Sequence, residues 1–145
     1  MKSLRFMIAS TFIVGALSFG SVAAFASPGL GYYSFGPGFG SGSFTTPVDS
    51  PVFTVTNSSK VCTINGWQDS GTNVAPANID YSIYQYHWYS NTLKGMKNFS
   101  QNYPKVGSWY SFTFTNIDPS NDYFIRMTPH NSAGMSGAGN AYDGY

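Results

Sequence analysis

Apolar and polar residues alternate over short stretches of the chain, which is the pattern of strands that bury one face. The alternation runs through residues 53–56 and again through 61–64, and Trp67 closes the second stretch. Residues 57–60 between them are turn-like, so the two stretches predict a β-hairpin. The polar segment 68–78 that follows is predicted to be a loop.

Residues 79–90 form the longest β-rich run. Its large side chains fall into two sets of opposite parity: Ile79, Tyr81 and Ile83, then Tyr84, Tyr86 and Trp88. A regular strand places the two sets on opposite faces. One explanation is a bulge near Ile83, since one extra residue flips the face that follows. The other is a strand with large residues on both faces, one face in the core and the other outside.

Further along, residues 91–107 are polar and are predicted to be a loop, with a short strand as the alternative. Residues 108–116 alternate cleanly and predict a half-buried strand, with Tyr110, Phe112 and Phe114 sharing one face.

A Pro- and Asn-containing turn at 118–121 precedes a predicted strand at 123–128, in which Tyr123, Ile125 and Met127 point inward. Residues 135–142 predict a short last strand. About seven short strands with no helical pattern indicate an all-β fold, an antiparallel β-sandwich, with a small barrel as the main alternative.

The first 26 residues have the order of a cleavable secretory signal peptide. Lys2 and Arg5 precede an apolar stretch, and Ala24 and Ala26 give the small-x-small pattern that predicts cleavage before Ser27. We therefore expect a secreted, extracellular protein, of bacterial type, that keeps no stable membrane span after cleavage.

Residues 27–43 are rich in glycine and aromatic residues, and we expect a loosely ordered N-terminal arm there. The predicted organisation is a signal peptide at 1–26, this arm at 27–43 and a β-sandwich domain at 44–145. Segments of such composition also self-associate, so pairing of the arm with a neighbouring molecule is one hypothesis for function.

Charge narrows the set of partners. The whole chain has a net charge of +1, and loss of the first 26 residues leaves five basic against six acidic side chains, a net charge of about −1. Nucleic acids and anionic membranes are bound through dense Lys and Arg, so neither is an expected partner. Cys62 is the one cysteine, which excludes an intramolecular disulfide; burial in the core is its expected role, and pairing between chains is the alternative.

Catalytic chemistry is not indicated. His87 and His130 lack a nucleophile motif, and the six aspartates are placed as turn-capping residues rather than as a catalytic pair. Oxygen ligands near residues 118–122 could coordinate calcium, but the acidic density of a calcium loop is missing. We expect no enzyme activity, no cofactor and no metal site.

The best candidate binding surface is a set of aromatic residues: Tyr84, Tyr86, Trp88 and Trp109. Flat rings on a strand face stack on sugar rings, whereas the ordinary role of such rings is to fill the core. The leading hypothesis is a secreted, non-enzymatic β-sandwich protein with a binding or structural role at the cell surface or outside the cell, for which a glycan or a cell-envelope component is the candidate partner. The alternatives are a carbohydrate-binding module, a self-assembling matrix or fibre subunit, and a bacteriocin-like toxin.

One segment resembles a known family. The pattern Ile117-x-Pro119-x-x-x-Tyr123-x-Ile125-Arg126-Met127-x-x-x-Asn131-x-Ala133-Gly134 is similar to the E–F turn and F strand of fibronectin type III domains. This resemblance implies an immunoglobulin-like or fibronectin III-like sandwich in which Tyr123 bonds backbone across the turn. It also implies that Trp67 matches the core Trp of the B strand and that Tyr81 matches a tyrosine of the C strand. The ending 136–139 resembles small secreted β-sandwich proteins of Gram-positive bacteria. Neither resemblance implies an active site.

Overall fold

A computed structural model describes residues 27–39, 43–71, 75–131 and 134–145. They form nine strands and no helix: β1 (Gly29–Phe35), β2 (Val48–Asp49), β3 (Phe53–Val55), β4 (Val61–Asp69), β5 (Ile79–Gln85), β6 (Thr92–Phe99), β7 (Tyr110–Thr115), β8 (Asn121–Pro129) and β9 (Ser136–Asp143). The strands pair antiparallel in two sheets. The predicted all-β sandwich is confirmed, with nine strands rather than about seven. The residues of the predicted signal peptide, including Ala24 and Ala26, lie outside the described residues.

Sheet A has the strand order β1-β9-β4-β7, and sheet B has the order β2-β8-β5-β6, with β3 also paired to β8. The two sheets meet along both sides, because β6 contacts β7 and β1 contacts β3. Strand β9 is therefore central in sheet A, although the sequence predicted only a short last strand.

The core lies between the sheets and is dominated by rings and β-branched side chains, with Tyr81 in the middle. The Tyr81 ring centroid lies 5.0 Å from that of Tyr110 and 5.9 Å from that of Tyr33. Each hydroxyl is satisfied: Tyr33 and Tyr110 share a 3.0 Å hydrogen bond, and Tyr81 donates to Oε1 of the buried Gln68 at 3.0 Å. Burial raises the pKa of all three tyrosines, so they stay neutral donors.

The expectation of a loosely ordered arm is wrong, because residues 29–35 form strand β1 at the edge of sheet A. Tyr33 and Phe35 on this strand are fully buried in the core. Their rings fit because β9 has glycine opposite them: a Cβ at Gly137 would overlap the Phe35 ring, and one at Gly139 would overlap the Tyr33 hydroxyl. The residues that order the arm lie about a hundred positions away, where no local pattern reveals them.

The predicted hairpin of 53–56 with 61–64 is also wrong. Strand β3 pairs with β8 in sheet B, whereas β4 pairs with β7 and β9 in sheet A. Residues 57–60 carry the chain between the sheets, with Lys60 in the left-handed region at φ 56°. The Asn57 side chain holds this connection in place. Its Nδ2 donates to the Val61 carbonyl at 2.7 Å, and its Oδ1 accepts from the Val61 amide at 3.2 Å.

The segment 91–107, predicted to be a loop, contains the eight-residue strand β6. It is polar because it is an edge strand, where lysines protect the exposed backbone from pairing with other chains. Its lysines reach the neighbouring edge: Lys97 Nζ lies 5.4 Å from the centroid of the Phe112 ring on β7.

Strand β5 resolves the question of parity. Ile79, Tyr81 and Ile83 are buried in the core, while Tyr84 alternates to the outside. The register shift does fall between Ile83 and Tyr84, but the extra residue, Lys94, is on β6, and β5 remains regular against β8. The second explanation, large residues on both faces, is therefore the one observed.

Two residue roles implied by the fibronectin resemblance have different outcomes. The Tyr123 hydroxyl donates to the Asp118 carbonyl at 2.8 Å, across the turn as expected. Trp67 is not a core residue. Ile64 and Gln68 of β4 point into the core, whereas Trp67 has the opposite parity and lies half-buried on the outside of sheet A. Cys62 is fully buried, and burial raises the pKa of its thiol to about 12, so it remains an unreactive thiol.

Candidate functional site

Three exposed aromatic residues lie together in the turn that joins β5 to β6. We define the aromatic turn as residues 86–91; its three rings are Tyr86, Trp88 and Tyr89, which are 45%, 88% and 70% exposed. The predicted site residues Tyr86 and Trp88 are thus surface residues, and the core-filling alternative does not apply to them.

Short contacts hold the turn in place. The Tyr86 amide donates to the Asp122 carbonyl at 2.8 Å, which extends the pairing of β5 with β8 by one residue. The His87 amide donates to Asn91 Oδ1 at 3.2 Å across the turn. The Trp88 and Tyr89 rings meet edge to face with centroids 5.3 Å apart, and Trp88 remains almost fully exposed.

Tyr84 has a different environment. Its ring stacks on Phe124 of β8, with centroids 5.4 Å apart and planes 9° from parallel. The Arg126 guanidinium lies 5.1 Å from the Tyr84 centroid and is held by Asp49 through two bonds of 2.7 Å. Those hydrogen bonds from Asp49 raise the pKa of Arg126. Tyr84 is half-buried on the outside of sheet B, next to the start of the turn.

The apolar surface continues onto the outside of sheet B. Leu93 pairs with Tyr84 across the strands, and Met96 pairs with Ser82. Both side chains are exposed, as is Val52 beside β3. We call this surface, with Tyr84 and Phe124, face B.

The structure does not bring Trp109 together with the other predicted site residues. Trp109 precedes Tyr110, whose ring packs on Phe99, and Phe99 pairs with Ile79 at the start of β5. The aromatic turn follows the other end of β5, so the two regions lie at opposite ends of the sandwich. Trp109 is 41% exposed and donates from Nε1 to the Lys105 carbonyl at 3.1 Å.

The outside of sheet A, which we call face A, is a second surface that sequence reasoning missed. One row crosses all four strands, because the register pairs Tyr32 with Asn140, Asn140 with Asn65, and Asn65 with Ser111. The alternation along β4 could have placed Thr63, Asn65 and Trp67 on one outer face. The row itself could not be predicted, because it depends on pairing between strands that are distant in the sequence.

Comparison with known proteins leaves the family open. No protein-family model and no curated protein matches the chain. A solved structure titled "Family 16 Carbohydrate Binding Module-2" is similar over 70% of each chain, with 11% sequence identity and a TM-score of 0.37. A similarity of this size carries no argument about function.

Groups with catalytic or metal-binding chemistry are dispersed. His87 lies in the aromatic turn, whereas His130 follows the opposite end of β8 and pairs its Nε2 with Asp80 Oδ2 at 2.6 Å. Asp118 contacts the ammonium groups of Lys60 at 3.1 Å and Lys94 at 3.5 Å, and its bonds to Lys60 lower its pKa.

Within the described ranges, no group of three or more His, Cys, Asp or Glu residues is placed to hold a metal ion. The same part of the chain contains no helix long and apolar enough to cross a membrane.

Proposed function

We propose that this chain is a secreted, extracellular bacterial protein that binds glycan surfaces through the aromatic turn and catalyses no reaction. The observation that supports this most is Trp88, a large aromatic residue that is 88% exposed. Large rings grouped on a surface mark binding sites, because each exposed ring forgoes the free energy of burial.

The ligand class follows from the chemistry of the turn. The hydroxyls of a sugar ring project sideways and leave an apolar face, which stacks on an indole or a phenol ring. No Lys, Arg, Asp or Glu occurs among residues 86–91, so charge gives no preference for an ionic ligand. The turn is held by Asp122 and Asn91, which lowers the entropy cost of ordering the rings when a ligand binds.

Self-assembly through residues 27–43 receives less support. Strand β1 is paired with β9 of the same chain, and its Tyr33 and Phe35 rings are buried there. If this segment paired with a neighbouring molecule instead, β1 would have to leave β9, and Tyr33 and Phe35 would have to leave the core.

Retention on insoluble particles tests the binding proposal. The protein, produced from the full chain, is mixed with cellulose, chitin, xylan or purified bacterial cell wall, and the bound fraction is measured at rising protein concentration. We expect retention on at least one of these particles, and Trp88→Ala should weaken it at least tenfold, about 1.4 kcal/mol, because the exposed ring is lost.

The matched control is Trp109→Ala, which removes an exposed indole at the opposite end of the sandwich and should leave retention unchanged. Equal retention of wild type and Trp88→Ala would contradict the assignment of the site. The secretion part of the proposal is tested separately, because the mature protein in the culture medium should begin at Ser27 by mass spectrometry.

A further inference from the structure

Face A has the properties of a binding surface in its own right. Its central row, Tyr32–Asn140–Asn65–Ser111, crosses four strands, which at about 4.8 Å per strand gives a length of roughly 14 Å. Beside it lies a second outward row, in which Tyr142 pairs with Thr63 and Thr63 with Thr113. Carboxamides, hydroxyls and phenol rings thus stand side by side on one sheet.

The two carboxamides of the row have no internal role. Within the described residues, the side chains of Asn65 and Asn140 make no hydrogen bond to protein, although both residues are half-buried. Most other asparagines do bond through their side chains: Asn57, Asn78, Asn91, Asn98, Asn102, Asn121 and Asn131. Each free carboxamide offers two donors and an acceptor on a surface that protein only partly covers.

The base under the row is rigid. Gly66 and Gly139 lie beneath it on β4 and β9, where the Tyr33 and Tyr110 hydroxyls fill the space that a Cβ would need. The Tyr33 hydroxyl lies 3.5 Å from the Asn65 carbonyl, which ties the row to the core. A surface with this support keeps its donors and acceptors in fixed positions before a ligand arrives.

Shape and charge define the ligand. A depression of ≈ 320 Å³ covers the Asn65–Ser111 end of the row and is lined by Ser27, Thr63, Asn65, Ser111, Tyr142 and Tyr145. That volume falls in the range of small-molecule sites. No side chain among these residues is charged, and the paired rows contain no Lys, Arg, Asp or Glu, so the side chains of this surface favour a neutral ligand rich in hydroxyls.

We propose that face A binds a single neutral glycan chain that lies across strands β1, β9, β4 and β7. Asn65 and Asn140 hydrogen-bond its hydroxyls, and Tyr32 and Tyr142 contact the apolar faces of its sugar rings. The site is separate from the aromatic turn and does not depend on it. Together with the proposed site at the aromatic turn, face A would give the protein two separate glycan-binding surfaces, face A for a single chain and the turn for particle surfaces.

The test uses soluble oligosaccharides, which separates this site from retention on particles. Neutral hexasaccharides of β-1,4-linked glucose, xylose, mannose and N-acetylglucosamine are titrated by calorimetry, with hexagalacturonate as the charged comparison. We expect a neutral hexasaccharide to bind and hexagalacturonate not to bind. In NMR spectra, the side-chain amide signals of Asn65 and Asn140 should shift on addition of the bound sugar.

The double variant Asn65→Ala/Asn140→Ala should weaken that binding at least tenfold with an unchanged Tm, since these side chains bond no protein group. Trp88→Ala should bind the soluble sugar as wild type does, and Thr115→Ala is a control on the same strand as Ser111 but outside the row. No binding of any neutral hexasaccharide, or wild-type affinity of the double variant, would overturn the proposal. Loss of soluble binding in Trp88→Ala would also overturn it and would assign all binding to the aromatic turn.

Discussion

The outsides of the two sheets differ in kind, although their insides are alike. Both inner faces carry rings and β-branched side chains in one shared core. Face A presents carboxamides and hydroxyls in a row without charge, whereas face B presents Leu93, Met96 and the rings that lead to Trp88. Alternation in a strand sets which residues are buried, but it places no demand on the residues of the other face.

That difference separates two modes of recognition. A row of donors and acceptors suits a ligand whose hydroxyls are all accessible, such as a single chain. Projecting rings suit a surface that offers only the flat faces of its sugars. Variants that affect one face and spare the other therefore test whether the two faces act separately.

The largest effect is expected from Gly139→Ala, beneath the row of face A. The new Cβ would lie 2.5 Å from the Asn65 carbonyl oxygen and would also overlap the Tyr33 hydroxyl, so either the backbone or the core has to shift. Overpacking of this kind costs about 1–3 kcal/mol, and a backbone neighbour places this position at the upper end. Urea unfolding followed by tryptophan fluorescence measures the loss.

Gly29→Ala is the control for this change, because a Cβ at Gly29 would have no neighbour within 4 Å. Its free energy of unfolding should stay within about 0.5 kcal/mol of wild type. Equal stabilities of the two variants would show that the backbone and core beneath face A adjust freely. The row of face A would then have no fixed base.

The sequence alone predicted the inner faces better than the outer ones. Alternation identified Tyr123, Ile125 and Met127 as buried, because each strand carries that information locally. It missed β1, whose burial depends on glycines of β9, and it grouped Trp109 with Trp88 although they lie at opposite ends. The row of face A joins Asn65 to Asn140, and only the register of distant strands shows that they are neighbours.

A smaller effect is expected at Asp143, which fastens the end of β9 beside face A and has no equivalent on face B. Its buried carboxylate accepts the backbone amides of Thr56 and Asn57 at 3.1 Å, together with bonds from both side chains. Burial alone would raise the pKa of Asp143, but these hydrogen bonds outweigh it and lower the pKa below its ordinary value.

Because the folded pKa lies below the unfolded value of about 3.9, the carboxylate stabilises the fold above roughly pH 4. This contribution is lost as the pH falls through the lowered pKa. Asp143→Asn should therefore cost about 1–2 kcal/mol at pH 7, and its stability should fall less than that of wild type between about pH 5 and 2. Urea unfolding over a pH series measures both, and parallel curves for the two proteins would contradict the role of Asp143.

The smallest effect is expected from Arg126→Met on face B, which decides whether Tyr84 contacts ligand or supports the turn. The ion pair with Asp49 is exposed by 36% and 42%, so solvent screening limits its contribution to under about 1 kcal/mol. The methionine keeps an apolar cover over the stacked Tyr84 and Phe124 rings, and Trp88 is untouched. We expect a small loss in the free energy of unfolding and retention on particles within twofold of wild type. A several-fold gain in retention would mean that Arg126 screens Tyr84 from the ligand, and a tenfold loss would mean that the guanidinium itself binds; either result would extend the site from the turn onto face B.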